Sequence, residues 1–183
     1  MSIADAVPNM VHWLGYKLRV DPGMLSPTIQ LEAWRKLEEI DLEPLKEDPM
    51  DHIGEFIHVN YPRVMGVASY ISPITAKLSA VKLADRMKRG AMDRVLDRCG
   101  GSGGQMIALW EALDKNTMVY VAEPDLLSYR IALVNAKLYD IPSRIINADY
   151  RHHHLGPDSP NWRYAGMWTP PQAKRYLPTM AGN

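Results

Sequence analysis

Four of the chain's twelve glycines fall within five consecutive positions, Gly100, Gly101, Gly103 and Gly104, in the stretch DRCGGSGG. An apolar pair, Val95 and Leu96, precedes it, and the run QMIALWEAL follows at once. Glycine admits backbone angles closed to other residues, and it lets a ligand approach main-chain amides with no Cβ in the way. At the start of a helix those amides are unpaired donors at the positive end of the helix dipole. Three acidic residues accompany the glycines. Asp97, Glu123 and Asp149 each stand at the end of an apolar run. Glu123 lies about 20 positions beyond the glycines, the distance at which a carboxylate accepts the hydroxyls of a bound ribose. A nucleoside triphosphate is disfavoured, because no Lys-Ser or Lys-Thr closes the glycine stretch. GSGG is also not the GxGxxG of a dinucleotide site. The residues therefore ask for a nucleoside ligand without requiring a pyrophosphate. Singly, each acidic residue reads equally well as a helix cap or a solvated turn residue; three on one edge of a sheet point to a ligand.

Those residues need a frame that brings them together. From about Lys88 the chain alternates apolar runs with helical periods: MDRVLDRC, then QMIALWEALDK, then TMVYVAEPD, then LLSYRIALVNAKLYD, then SRIINAD. Strands separated by helices of this length predict a βαβαβ unit with a parallel sheet, hence an α/β fold. Ligands of such sheets bind at the carboxyl ends of the strands, where Asp97, Glu123 and Asp149 fall. The preceding 87 residues read as a helical segment. Ser26-Pro27 and Ser72-Pro73 both have the cap-then-proline pattern of a helix start, and Ile74, Leu78, Val81 and Leu83 predict the buried stripe of the second of these helices. Residues 151–183 are rich in Pro, Gly and aromatics and lack a period, so they read as an irregular tail. The expected division is thus 1–87, 88–150 and 151–183.

Composition sets outer limits. At 46% hydrophobic and 23% charged, 183 residues can bury the core of one domain. The formal net charge is zero, so composition alone gives no electrostatic case for nucleic-acid binding. A single cysteine, Cys99, excludes an internal disulfide, and with no apolar run of membrane-spanning length and no leader pattern the expectation is a cytoplasmic protein without a membrane association. Cys99 has no base beside it in sequence and reads as small filler. His152, His153 and His154 are adjacent, so they cannot all grip one metal; no metal site is expected.

The stretch Asp97–Gly104 resembles the D-P-x-x-G-S-G-G loop of S-adenosylmethionine-dependent N6-adenine DNA methyltransferases, and most of all the modification subunits of type I restriction systems. GEFIHVNYPRVMGVASYISPITAKLSAVKLA resembles the family's segment before that loop, with Tyr70, Ser72 and Pro73 as its aromatic-x-[TS]-P. YVAEPDLLSYRIALVNAKLYDIPSRIINAD resembles the segment after it. The likeness spans about Asp48 to Asp149. It implies a Rossmann-like methyltransferase core, shortened and preceded by a helical segment, with S-adenosylmethionine as cofactor. Asp97 and the backbone of Gly101 and Gly103 would then cradle the methionine part. Glu123 would take the ribose hydroxyls, Pro124 or Asp125 would lie against the adenine, and Asp149 would meet its amino edge. Ser72 with Pro73 would approach the amino-acid end.

The family's chemistry is carried by [DNS]-P-P-[YFW], whose nearest counterpart here is Ser159-Pro160-Asn161-Trp162, with asparagine in place of the second proline. By resemblance Ser159 and Pro160 would hold an adenine amino group and Trp162 would stack on a flipped base. The expectation is an N6-adenine DNA methyltransferase-like protein that transfers a methyl group to DNA, with a protein partner or second copy supplying target recognition. The alternative is a non-catalytic module, derived from such an enzyme, that binds the cofactor or another protein.

Overall fold

The computed structural model describes residues 10–11, 13–15, 17–18, 39, 41–60, 70–90, 94–113, 115, 117–153 and 166–168. A helical stretch among residues 10–17 is followed by α1 (Glu43–Glu47), α2 (His52–Asn60) and α3 (Pro73–Gly90). Then come β1 (Arg94–Asp97), α4 (Gly104–Ala112), β2 (Met118–Ala122), α5 (Leu126–Leu138), β3 (Ser143–Ile146), α6 (Tyr150–His153) and β4 (Gly166–Trp168).

The sheet has the order β1-β2-β3-β4. β1 and β2 run parallel, with Leu96 opposite Tyr120; β2 and β3 run parallel, with Val121 opposite Ile145. The α/β reading therefore holds for three parallel strands joined by α4 and α5. β4 pairs antiparallel with β3, Arg144 opposite Met167. It comes from the stretch expected to be irregular. Three residues are too few to display the period-2 signal from which a strand is read.

β2 is central and buried along its whole length. Its alternation divides the core. Val119 and Val121 face a cluster with Ile107, Ile131, Val134 and Ile145. Met118, Tyr120 and Ala122 face the other way, with Leu96, Ile146 and Tyr150 packed around them. Val11, Trp13 and Leu14, and Ile53 and Ile57 of α2, belong to the first cluster, so residues ahead of the glycines help to build the frame around them.

α3 starts as its sequence predicts. Pro73 is its first residue, and Ser72 Oγ accepts from Thr75 N at 3.4 Å and lies 2.9 Å from Thr75 Oγ1. Its buried face differs from expectation. Ile74, Leu78 and Val81 are 74%, 63% and 63% exposed, and Ala76, Ala80, Ala84 and Met87 are buried instead, against Ala108, Leu109 and Leu113. Small side chains let two helix backbones approach closely. Here that advantage outweighs the larger apolar area of the rival stripe. Among the described residues no helix is long and apolar enough to cross a membrane.

Candidate functional site: a glycine bend between carboxylates

β1 ends at Asp97 and α4 begins at Gly104; the bend between them carries most of the candidate site. Gly101 and Gly103 have φ of 53° and 95°, in the left-handed region that a side chain makes costly. Gly100 needs its missing Cβ for another reason. A Cβ there would overlap Val121 Cγ1 of the central strand. The bend is closed by Gly103 N donating to Gly100 O at 2.9 Å, and tied to β2 by Gly100 N donating to Ala122 O at 3.2 Å.

Glu123 reaches the bend from the end of β2. Its Oε2 accepts from Gly101 N and its Oε1 from Asp125 N, each at 2.8 Å. A carboxylate offers about four lone-pair positions, so each oxygen keeps capacity for one further donor. The side chain is 6% exposed. Burial pushes its pKa up, and the two amide bonds hold part of that rise back. The strand end is braced by Asn147, whose Nδ2 donates to the carbonyls of Glu123 and Pro124 at 2.9 Å.

Asp97 accepts from Cys99 N at 3.1 Å through Oδ1, and burial pushes its pKa up as well. It lines a cavity of about 270 Å³ with Ser79 and Leu83 of α3, Val95 of β1, and Gln105 and Leu109 of α4. Gln105 Nε2 is buried there without a hydrogen-bond partner among the described residues. The cavity thus combines apolar walls, the Asp97 carboxylate, the Arg98 side chain and an unspent amide donor, which suits a group carrying both a cation and an anionic acceptor.

The other expected residues divide. Ser72 caps α3, and the chain just before it lies at the bend: a Cβ on Gly104 would stand 3.4 Å from Ile71 Cγ2. Asp125 is the N-cap of α5, its Oδ2 accepting from Ser128 N at 2.8 Å. Pro124 is exposed beside it. Asp149 lies beyond the end of β3 and is engaged by Arg151, with Nη2 to Oδ2 at 2.6 Å and Nε to Oδ1 at 3.0 Å. Asp97, Glu123, Gly101 and Gly103 are brought together; Asp125 and Asp149 have local partners of their own. Ser159, Pro160 and Trp162 lie outside the described residues. Among the described residues no group of three His, Cys, Asp or Glu side chains could hold a metal ion.

One carboxylate at the bend escaped the sequence reading. Asp51, 3% exposed, stands immediately before α2. Its Oδ1 accepts from Gly54 N at 2.9 Å, capping the helix, and from Asn135 Nδ2 at 2.7 Å. Its Oδ2 accepts from the hydroxyl of Ser102, in the middle of the bend. Asn135 Nδ2 also donates to Ser102 O at 2.9 Å. Burial pushes the Asp51 pKa up, against these donors. Two sequence signals point to this cluster: an aspartate three residues before Gly54 at a helix start, and an asparagine set in the apolar run IALVNAKL. No protein-family model, curated protein or solved structure matches the chain.

Proposed function

We propose that the chain binds S-adenosylmethionine at the glycine bend, in the manner of the cofactor half of an N6-adenine DNA methyltransferase. The observation that carries the reading is the reach of Glu123 from β2 to the Gly101 amide, 2.8 Å. It puts a carboxylate with spare acceptor capacity beside a left-handed glycine bend, at the carboxyl ends of parallel strands. That is where open α/β sheets hold nucleosides. Glu123 would accept the ribose hydroxyls. Asp97 would face the ammonium of the methionine part across the cavity it lines, and an approaching cation would draw its raised pKa back down. Gln105 Nε2 would find an acceptor in the cofactor's carboxylate. Pro124 would lie against the adenine. Asp149 would meet the amino edge by releasing Arg151, an exchange made cheap by the exposure of that arginine. Bound there, the cofactor supplies an electrophilic methyl group on a sulfonium. Ser159 and Pro160 would hold the acceptor adenine amine and Trp162 its ring.

A second reading, a cofactor-binding module that does not itself methylate, is favoured by the sheet order. In the described residues β1 is an edge strand, whereas a doubly wound sheet continues past its first strand and binds ligands where the order reverses. An edge left open invites a partner strand. Calorimetric titration with S-adenosylhomocysteine tests binding, with Glu123→Ala as control; no heat with the wild type rejects both readings. Transfer of radiolabelled methyl groups to adenine-containing DNA, lost in Ser159→Ala and Trp162→Ala, separates the two.

A further inference from the structure

The glycine bend does not support itself. Gly101 and Gly103 occupy the left-handed region, where glycine gains freedom that folding must then remove. Within the bend a single backbone bond, Gly103 N to Gly100 O, closes the turn. The remaining ties come from elsewhere. Glu123 and Ala122 O hold its first half from β2. Its middle residue, Ser102, is held by its hydroxyl to Asp51 and by its carbonyl to Asn135. Asp51 is also the cap of α2, and Asn135 sits within α5 and donates to Asp51 as well. Three segments far apart in sequence thus meet on one carboxylate.

The packing around that carboxylate is close. A Cβ on Gly54 would lie 2.5 Å from Ser102 Oγ and overlap the Asp51 carboxylate. A Cβ on Gly104 would stand 3.5 Å from Asp51 Cβ. Glycine at position 54, inside a helix, therefore makes room for the carboxylate and hydroxyl to meet. Oδ1 takes the Gly54 and Asn135 donors and Oδ2 the Ser102 hydroxyl; an alkyl group reproduces none of these bonds, whereas an amide can keep them, because a serine hydroxyl accepts as well as donates.

We infer that Asp51 is a positioning residue that holds the glycine bend in its ligand-presenting shape through the Ser102 hydroxyl, so that the bend stays formed only while α2 is docked. Where the inference concerns ligand, it rests on the reading that the bend binds S-adenosylmethionine; where it concerns the shape of the bend, it does not. Ser102→Ala cuts the link and leaves the α2 cap and the Asn135 bond to the Ser102 carbonyl in place. Amide hydrogen exchange, resolved by residue, reads the result. In Ser102→Ala and in Asp51→Ala, exchange at Gly101 and Gly103 is expected to rise about tenfold or more, whereas Ile141→Val, a core change ahead of β3 and away from the bend, leaves those two amides unchanged; a one-decade rise corresponds to about 1.4 kcal/mol of lost local protection. The double variant is expected to add nothing beyond Asp51→Ala alone, since that substitution already breaks the bond that Ser102→Ala removes. An equal rise at the bend in Ile141→Val, additive effects, or no rise in Ser102→Ala overturns the inference.

Affinity for S-adenosylhomocysteine supplies the second arm. It is expected to fall about tenfold in Ser102→Ala. Looser bend amides with undiminished affinity would overturn the positioning role. Absence of binding by the wild type would instead count against the ligand reading, and the exchange measurement would still decide whether Asp51 shapes the bend.

Discussion

Glu123 and Asp51 grip the same bend by different means. Glu123 accepts from two backbone amides, those of Gly101 and Asp125, and stands at the carboxyl edge of the sheet. Asp51 accepts from one backbone amide and two side chains, Gly54, Ser102 and Asn135, and it lies under a helix start. The first arrangement is built from groups that every residue carries, so it constrains few neighbours and keeps acceptor capacity free. The second depends on the identity of three residues and the smallness of a fourth. A carboxylate of the first kind is suited to meet a ligand. One of the second kind is suited to keep a shape.

Substitutions can break that contrast. The largest effect is expected for Asp51→Ala, which leaves a hydroxyl, a side-chain amide and a helix-end amide buried without their acceptor. At about 1–3 kcal/mol for each donor left unsatisfied, and allowing for partial relaxation, the loss should reach about 3–5 kcal/mol in urea unfolding. Next comes Gly54→Ala. Its methyl group is forced between Asp51 and Ser102, and overpacking of this kind costs about 1–3 kcal/mol, although alanine is otherwise the better helix former. Glu123→Gln should cost about 1–3 kcal/mol, because the amide oxygen can still accept from one of the two backbone amides while the other is left facing an NH2 donor. The same change should weaken S-adenosylhomocysteine binding at least about tenfold, since hydrogen bonds to a charged group contribute about 1.5–3 kcal/mol. If Glu123→Gln unfolds the chain as Asp51→Ala does, the contrast between ligand group and shape group fails.

The smallest effect is on pH dependence. Asp97, Glu123 and Asp51 all have pKa values raised by burial. A carboxyl group whose folded pKa exceeds its unfolded one binds more protons when folded. Its stabilisation is therefore complete below the unfolded pKa of about 4 and is lost as pH rises through the folded value. Asp97→Asn does not titrate, so its melting temperature relative to wild type should rise between about pH 4 and pH 7. A flat difference would mean that the pKa of half-buried Asp97 is not raised by its surroundings.

Much of the frame is legible in the sequence because its signals are local. Apolar runs closed by Asp97, Glu123 and Asp149 give the strands, and Ser72-Pro73 gives a helix start. The clustered glycines reflect a backbone requirement that Gly101, Gly103 and Gly100 meet in place. The orientation of α3 was not legible. Ile74, Leu78 and Val81 outweigh Ala76, Ala80 and Ala84 on any hydrophobicity scale, and only the close approach of α4 reverses the choice. The reach of Asp51 to the bend was not legible either, because its partners Ser102 and Asn135 are 51 and 84 residues away. A capping aspartate looks the same in sequence whether or not it has a second role. Asp125 makes the same point: it caps α5, and in sequence a helix cap and a ligand group at the end of a strand look alike.

Calorimetric titration of S-adenosylhomocysteine into wild type and Glu123→Gln, at matched fold stability, measures the central claim most directly. Saturable binding by the wild type, weakened at least about tenfold by the single substitution, is the expected result; a wild type that gives no heat, or two proteins that bind alike, would contradict it.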